Sequence, residues 1–120
     1  MIKFCSLDEF NKDKALRGDF SFLITRKVMN PSLLKTFIHL PQVAPSEDLL
    51  NFALMGKSKN YSWHEEYTER YFKEMKSPMA LATIDMLRKC IKSGKQVTCV
   101  CYCGKDEFCH RRLLASIIQT

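Results

Sequence analysis

The sequence predicts one α/β domain over residues 1–120, with a small, mainly parallel sheet flanked by helices. Three observations carry this. Val97-Thr98-Cys99-Val100-Cys101-Tyr102 is an apolar, β-branched run of strand length. It follows directly on an amphipathic helical pattern, Ser77–Lys92, and a helix feeding straight into a strand most simply builds a parallel sheet. The strand is followed, across a short loop containing Gly104, by a second helical pattern, Leu113-Leu114-Ala115-Ser116-Ile117-Ile118. Ligands of open α/β sheets collect where loops leave the carboxyl ends of strands, so residues 97–112 are the expected place for a chemical site.

Composition narrows the class further. A chain of 120 residues can bury one core but not two. With 46% hydrophobic and 27% charged residues, it has the balance of a globular protein rather than of a disordered or repetitive one. No apolar run approaches the ~20 residues that cross a bilayer, and Met1-Ile2-Lys3-Phe4-Cys5-Ser6 turns polar too early for a secretory leader. The six cysteines cluster instead of spreading as staples, which points to reduced thiols in a cytoplasmic protein. A net charge of +6 permits an anionic small molecule or nucleic acid as partner, and nothing suggests a membrane. The densest basic group, Arg88, Lys89, Lys92 and Lys95, lies where a helix should end, a position that favours cations in any case.

Taken in order, Ile2–Ser6 reads as a short strand, residues 7–19 as a polar connection with a turn at Gly18, and Phe20–Arg26 as a second, central strand. Arg26 falls at that strand's carboxyl end with Lys27 after it, placing both near a ligand crevice. Asn30 and Pro31 open a brief helix to about Ile38, as cap and first-turn proline. His39–Pro45 reads as an extended loop. Ser46-Glu47-Asp48 caps a helix expected to stop near Gly56. Ser62 and Glu65 form a capping-box pattern. Trp63, Tyr67, Tyr71 and Met75 then recur four apart, an apolar stripe that is more often core than a stacking platform for bases. Ser77 and Pro78 start the next helix, whose buried face is Ala80, Ile84, Leu87 and Ile91 and whose end is Gly94. The helix-rich middle should form a lid or flank over the sheet edge.

The terminal segment holds the chemistry. Cys99, Cys101 and Cys103 alternate and so share one face of a strand. Cys109 and His110 fall in the first turn of the last helix, with Asp106 as a possible cap. A helix N-terminus and neighbouring His and Arg depress a thiol's pKa, which gives Cys109 the surroundings of a reactive thiolate. Three readings remain open. In the first, Cys109 or Cys101 is a nucleophile, His110 carries the proton and Arg111 clamps an anionic substrate. The stretch from Cys103 to Arg111 is too long for a cysteine-phosphatase loop. In the second, Cys101, Cys103, Cys109 and His110 hold zinc or an iron–sulfur cluster, although paired Cys-x-x-Cys knuckles are absent and adjacent Cys109 and His110 rarely reach one ion. In the third, the thiols only pack.

Val100-Cys101-Tyr102-Cys103-Gly104-Lys105-Asp106-Glu107-Phe108-Cys109-His110-Arg111 resembles the Cys-x7-Cys-His-Arg signature of the uncharacterised family known as domain of unknown function 488. Leu40–Ser46 is similar to that family's Leu-Ala-Pro-Ser segment. Ser62–Tyr67 with Tyr71 is similar to its Trp-x-x-Tyr-x-x-x-Tyr helix, and Ile24-Thr25-Arg26 to its strand end. The resemblance implies a compact, Rossmann-like α/β domain. Its presumed site maps to Arg26, Tyr67, Tyr71, Tyr102 and Arg111 as ligand-binding residues and to Cys101, Cys109 and His110 as catalytic ones. Members usually carry Glu where this chain has Cys103, which puts a general-base role there in doubt and favours a thiol-rich or metal site. The resemblance brings no reaction; with the basic balance, the Cys-His-Arg turn suggests an enzyme or ligand-binding domain directed at a nucleotide or nucleic acid. A metal- or cluster-binding regulatory module and a non-catalytic, basic partner-binding protein are the alternatives.

Overall fold

The computed structural model describes residues 1–59, 62–104 and 108–119. Its architecture is a parallel sheet of four strands in the order β1-β4-β2-β3, flanked by helices. These strands are β1 (Ile2–Ser6), β2 (Phe20–Leu23), β3 (Ile38–His39) and β4 (Val97–Cys101), and the helices are α1 (Leu7–Lys12), α2 (Glu47–Lys59), α3 (His64–Glu74), α4 (Pro78–Lys92) and α5 (His110–Ile118).

β4 is central because its sequence tolerates burial on both faces. All five of its residues are buried, and it pairs with β1 from Ile2↔Val97 to Ser6↔Cys101 and with β2 from Phe20↔Val97 to Leu23↔Val100. Its alternation sorts two cores. Val97, Cys99 and Cys101 face a large core with Phe22, Ile24 and residues of α2, α3, α4 and α5. Val100 faces a smaller one with Cys5, Leu23, Phe10 of α1 and Phe37, where the Phe10 and Phe37 rings lie 4.8 Å apart. Cys5 and Cys99 are packed thiols, and burial pushes them up to about 11 and about 12 respectively.

Several elements depart from the sequence-based expectation. Residues 7–19 are not a plain connection: Ser6 and Glu9 make a reciprocal capping box that starts α1. Asn30 and Pro31 open a 3₁₀ turn, Pro31–Lys35, rather than an α-helix. The chain then pairs at Ile38–His39 with β2, so the expected loop begins with an edge strand. The β2 ladder ends at Leu23, with Ile24 still donating to Val100 O at 2.9 Å. α4 has the expected Ser77 cap and Pro78 start, and Gly94 follows it at φ +86°.

The junction of α2 and α3 shows packing overriding local signals. α2 runs through Gly56 to Lys59 instead of stopping there. Trp63 rather than Ser62 occupies the cap position of α3, and it makes no side-chain capping bond. The reason is contact between the two: a Cβ on Gly56 would lie 2.4 Å from Cγ of the Trp63 indole. The ring lies directly on the glycine, so the chain reaches α3 in the position the indole dictates. Glu74, at the end of α3, binds back to the start of α2, accepting from Ser46 N at 2.8 Å and from the Ser46 hydroxyl.

In an open helix interior, Gly→Ala stabilises by up to about 1 kcal/mol. Gly56→Ala should instead destabilise by about 1–3 kcal/mol, the cost of overpacking, read from urea unfolding followed by Trp63 fluorescence; a more stable variant would show that the indole can yield.

Candidate functional site

The carboxyl ends of β2 and β4 open into a cleft of about 320 Å³. Arg26 and Lys27 come from the end of β2, Cys101, Tyr102 and Cys103 from the end of β4, and Cys109 and His110 from the start of α5. The far wall is apolar, built by Leu50, Ala53 and Leu54 of α2 and by Trp63, Tyr67 and Phe108. Trp63 and Phe108 meet edge to face at 5.5 Å, and His64 stacks on Phe108 at 4.0 Å and 8°. Lys57 lies 5.7 Å over the Trp63 ring. The helix-rich middle is therefore the wall of the cleft.

Three thiols converge at its base. The sulfurs of Cys101, Cys103 and Cys109 all lie within 4.8 Å of one another, and Cys101 Sγ is 3.6 Å from Cys109 Sγ. Cys101 and Cys109 are buried, and Cys103 is half-buried. Beneath them Arg111, 5% exposed, donates from Nη1 to Cys101 Sγ at 3.0 Å and to Cys103 O at 2.9 Å, and from Nη2 to Gly104 O at 2.6 Å. A guanidinium placed against a sulfur favours the thiolate over the thiol, and Cys101 is a sulfur it touches. Hydrogen bonds from the thiols of Cys103 and Cys109, together with that from Arg111, hold the Cys101 thiol well below the ordinary thiol range. The Cys109 thiol moves the opposite way, raised because it donates to Cys101 and is buried beside a thiolate.

One sequence-based expectation meets an opposing effect. Cys109 is at the cap position of α5, with extended φ −150° and ψ 156°, yet its hydrogen bonds with Cys101 and Cys103 and its burial push its thiol up. The helix N-terminus is outweighed by Cys101 and Arg111, whose contact is direct. Asp106, the expected cap, lies outside the described residues.

His110 is buried, and its Nε2 lies 2.6 Å from Ile24 O. A carbonyl oxygen only accepts, so Nε2 carries the proton. Burial pushes the imidazole below its ordinary range and keeps the ring neutral. Nδ1 is then a bare acceptor, 3.3 Å from Cys109 Sγ. His110 stands outside the set of ligand atoms close enough to share one ion, which consists of the three sulfurs.

The remaining expected residues separate. Arg26 lines the cleft, its guanidinium steadied by Nε to Pro45 O at 3.0 Å and Nη2 to Ala44 O at 2.9 Å. Tyr102 lines it too, with its hydroxyl donating to Lys27 O and accepting from Met29 N, both at 3.0 Å. Tyr67 contributes its ring. Tyr71 is fully buried and donates to Val43 O at 2.7 Å, so it supports the wall from behind. Arg111 likewise points into the protein and holds the thiolate and loop rather than facing the cleft. The sequence reading missed the role of Phe108 and of Leu50, Ala53, Leu54 and Lys57. The one sequence signal for this wall is the four-residue spacing of Leu50 and Leu54 along α2, half-buried and exposed respectively.

An open parallel α/β sheet with three converging cysteine sulfurs at the ends of its central strands defines the class: a small α/β domain with a thiol-lined cleft. Residues 16–120 match the family model described as the active DUF488-N3 subclade, DUF488-N3a, and the chain belongs to the DUF488 family. No curated protein and no solved structure matches it. Among the described residues, no helix is long and apolar enough to cross a membrane.

Two measurements test this electrostatic arrangement. Arg111→Met should slow alkylation of Cys101 by iodoacetamide at pH 6 at least roughly tenfold, because the thiolate fraction drops. It should also lower stability by about 3 kcal/mol, the scale for breaking a buried ionic contact. Unchanged labelling at residue 101 would place the negative charge elsewhere. For His110, the folded pKa is lowered, so below about pH 6.5 the unfolded chain binds a proton that the folded chain does not. Stability should therefore fall as pH drops through 6.5, by up to about 1.4 kcal/mol per pH unit. The Cys101 thiolate adds a slope of the same sign to parent and variant alike, so the difference between the parent and His110→Gln isolates the imidazole; coincident curves would mean a charged or exposed ring.

Proposed function

We propose that this protein is an enzyme acting on a nucleotide or on a base of nucleic acid, with the Cys101 thiolate as nucleophile at the foot of the cleft. The observation that carries this reading is the contact of Arg111 Nη1 with Cys101 Sγ below a cavity walled by aromatic rings. A thiolate in apolar surroundings is poorly solvated and is kept as an anion by fixed donors, the state a nucleophilic cysteine needs. The walls suit a flat, weakly polar ring: Trp63, Phe108 and Tyr67 offer faces and edges on which a base stacks for about 1–3 kcal/mol. Arg26, Lys27 and Lys57 add positive charge around the same cavity, which suits phosphate. Cys109 lies between Cys101, 3.6 Å away, and the bare Nδ1 of His110, 3.3 Å away, so its single proton can turn from the nucleophile to the neutral imidazole when Cys101 reacts.

A second reading has one observation in its favour. Three sulfurs within 4.8 Å suit thiolates around one zinc ion at about 2.3 Å each, with the fourth position open. About one zinc or iron per chain in protein purified without chelator would favour it.

The chain has one tryptophan, Trp63, which lies in the cleft wall and so reports binding directly. Its fluorescence should be quenched on titration with nucleoside phosphates or short single-stranded oligonucleotides. Arg26→Ala and Phe108→Ala should each weaken binding by roughly tenfold, the scale of one stacked base or one charge-assisted contact. Cys101→Ser should bind yet leave the ligand unaltered. If no nucleotide or oligonucleotide quenches the signal, the reading fails. Binding that weakens steeply with salt but ignores the cleft variants would instead mark a basic protein with a non-catalytic partner.

A further inference from the structure

We propose that Cys101 and Cys109 form a redox-active pair: a hydroperoxide oxidises Cys101, and Cys109 resolves it as a reversible disulfide. The inference goes beyond the nucleotide reading and does not depend on it, since it concerns the thiols alone.

Geometry carries it. The two sulfurs lie 3.6 Å apart, about 1.6 Å from disulfide bonding distance. Both border the cleft, which is wide enough for a small hydroperoxide; Cys101 is fully buried and Cys109 2% exposed, so the oxidant must reach the sulfur from the cleft floor. Cys109 sits outside the regular part of α5, at its cap, where a modest side-chain rotation breaks no helix hydrogen bond of its own. The other cysteines differ. Cys5 and Cys99 are packed in the sheet as protonated thiols, and Cys90 is on α4, half-buried, with its thiol 3.8 Å from Met86 Sδ.

The chemistry closes with groups already present. The Cys101 thiolate attacks one peroxide oxygen; the S–O bond forms as the O–O bond breaks. Sulfur is oxidised by two electrons to the sulfenic acid, and the alkoxide or hydroxide leaves with a proton from solvent. Cys109 then attacks the sulfenic sulfur. Its proton passes to Nδ1 of neutral His110, 3.3 Å away, and on to the departing hydroxide, which leaves as water while the S–S bond forms. An external dithiol restores both cysteines with two electrons. The oxidised form has no anion at residue 101, so Arg111 loses its thiolate while keeping the carbonyls of Cys103 and Gly104. Cys103 and Gly104, which the same guanidinium holds, are therefore the part of the fold that senses the oxidation state.

The test uses the full, reduced chain at neutral pH with one equivalent of hydrogen peroxide and no nucleotide. Thiols are then alkylated, and the crosslinks mapped by peptide mass spectrometry. A single Cys101–Cys109 disulfide should form, and dithiothreitol should reverse it. Cys103→Ser should give the same product. Cys109→Ser, placed at a helix cap where serine is favoured, should stop at a sulfenic acid on Cys101 that dimedone captures. Cys101→Ser should consume peroxide at least roughly tenfold more slowly, since the thiolate is gone. Circular dichroism confirms the fold of each variant. A disulfide through Cys103, or oxidation of Cys90 with residues 101 and 109 still reduced, would overturn the pair. Neither result bears on nucleotide binding, which is read separately from Trp63.

Discussion

The contact between Arg111 and Cys101 is the constraint on which the rest of the site depends. It joins the first turn of α5 to the last residue of β4, and the same guanidinium holds the carbonyls of Cys103 and Gly104. A buried cation and a buried anion are each costly, and the two are tolerated together only with good geometry and satisfied donors. The thiols of Cys103 and Cys109 supply the other donors to the anion. Three side chains thus meet at one sulfur, and two backbone carbonyls fix the guanidinium among them.

The parallel sheet makes that commitment possible. When β1, β4 and β2 run the same way, their carboxyl ends converge on one side, and each is followed by a segment that must turn back. β4 is central, so the residues after it have neighbours on both flanks: Ile24 O receives His110 from one, and the cap of α1 stands on the other. The large core then decides what lies opposite. α2 and α3 are locked at Gly56 by the Trp63 indole and at Ser46 by Glu74. That lock carries an apolar, aromatic wall to face the thiolate. Low polarity on one side strengthens every electrostatic contact on the other.

Legibility in the sequence followed how local each signal was. β4, α4 and the cap of α4 could be read because their information lies in consecutive residues: a β-branched run, then Ser77 before Pro78. The alternation of Cys99 and Cys101 onto one face is a period of two and needs no structure to see. β3 could not be read, since two residues, Ile38 and His39, pair only because β2 is there to receive them. Gly56 and Ser62 misled for the same reason: both are strong local signals, and a ring from Trp63 overrides them. The site split likewise. The residue types around Cys101 and Cys109 pointed to a thiol cluster, but which side chains meet at Cys101 depends on the fold, and no spacing rule fixes that. Tyr71 and Arg111, expected as ligand contacts, lie buried behind the cleft surface.

Cys103 gives the departure from the family pattern a physical meaning. A glutamate at this position would bring a second negative charge within reach of the same guanidinium, and two anions close together resist joint ionisation. One of them would take a proton, so a carboxyl and a thiol would compete for Arg111. A thiol in its place is a neutral donor. Cys103 keeps its own proton, its pKa raised by the neighbouring Cys101 with which it shares a hydrogen bond, and that same bond lowers Cys101. With a thiol at residue 103 in place of the carboxylate the resemblance implies, the cluster offers sulfur where a general base would stand. The shift of Cys101 then follows from the donors around it, Cys103, Cys109 and Arg111.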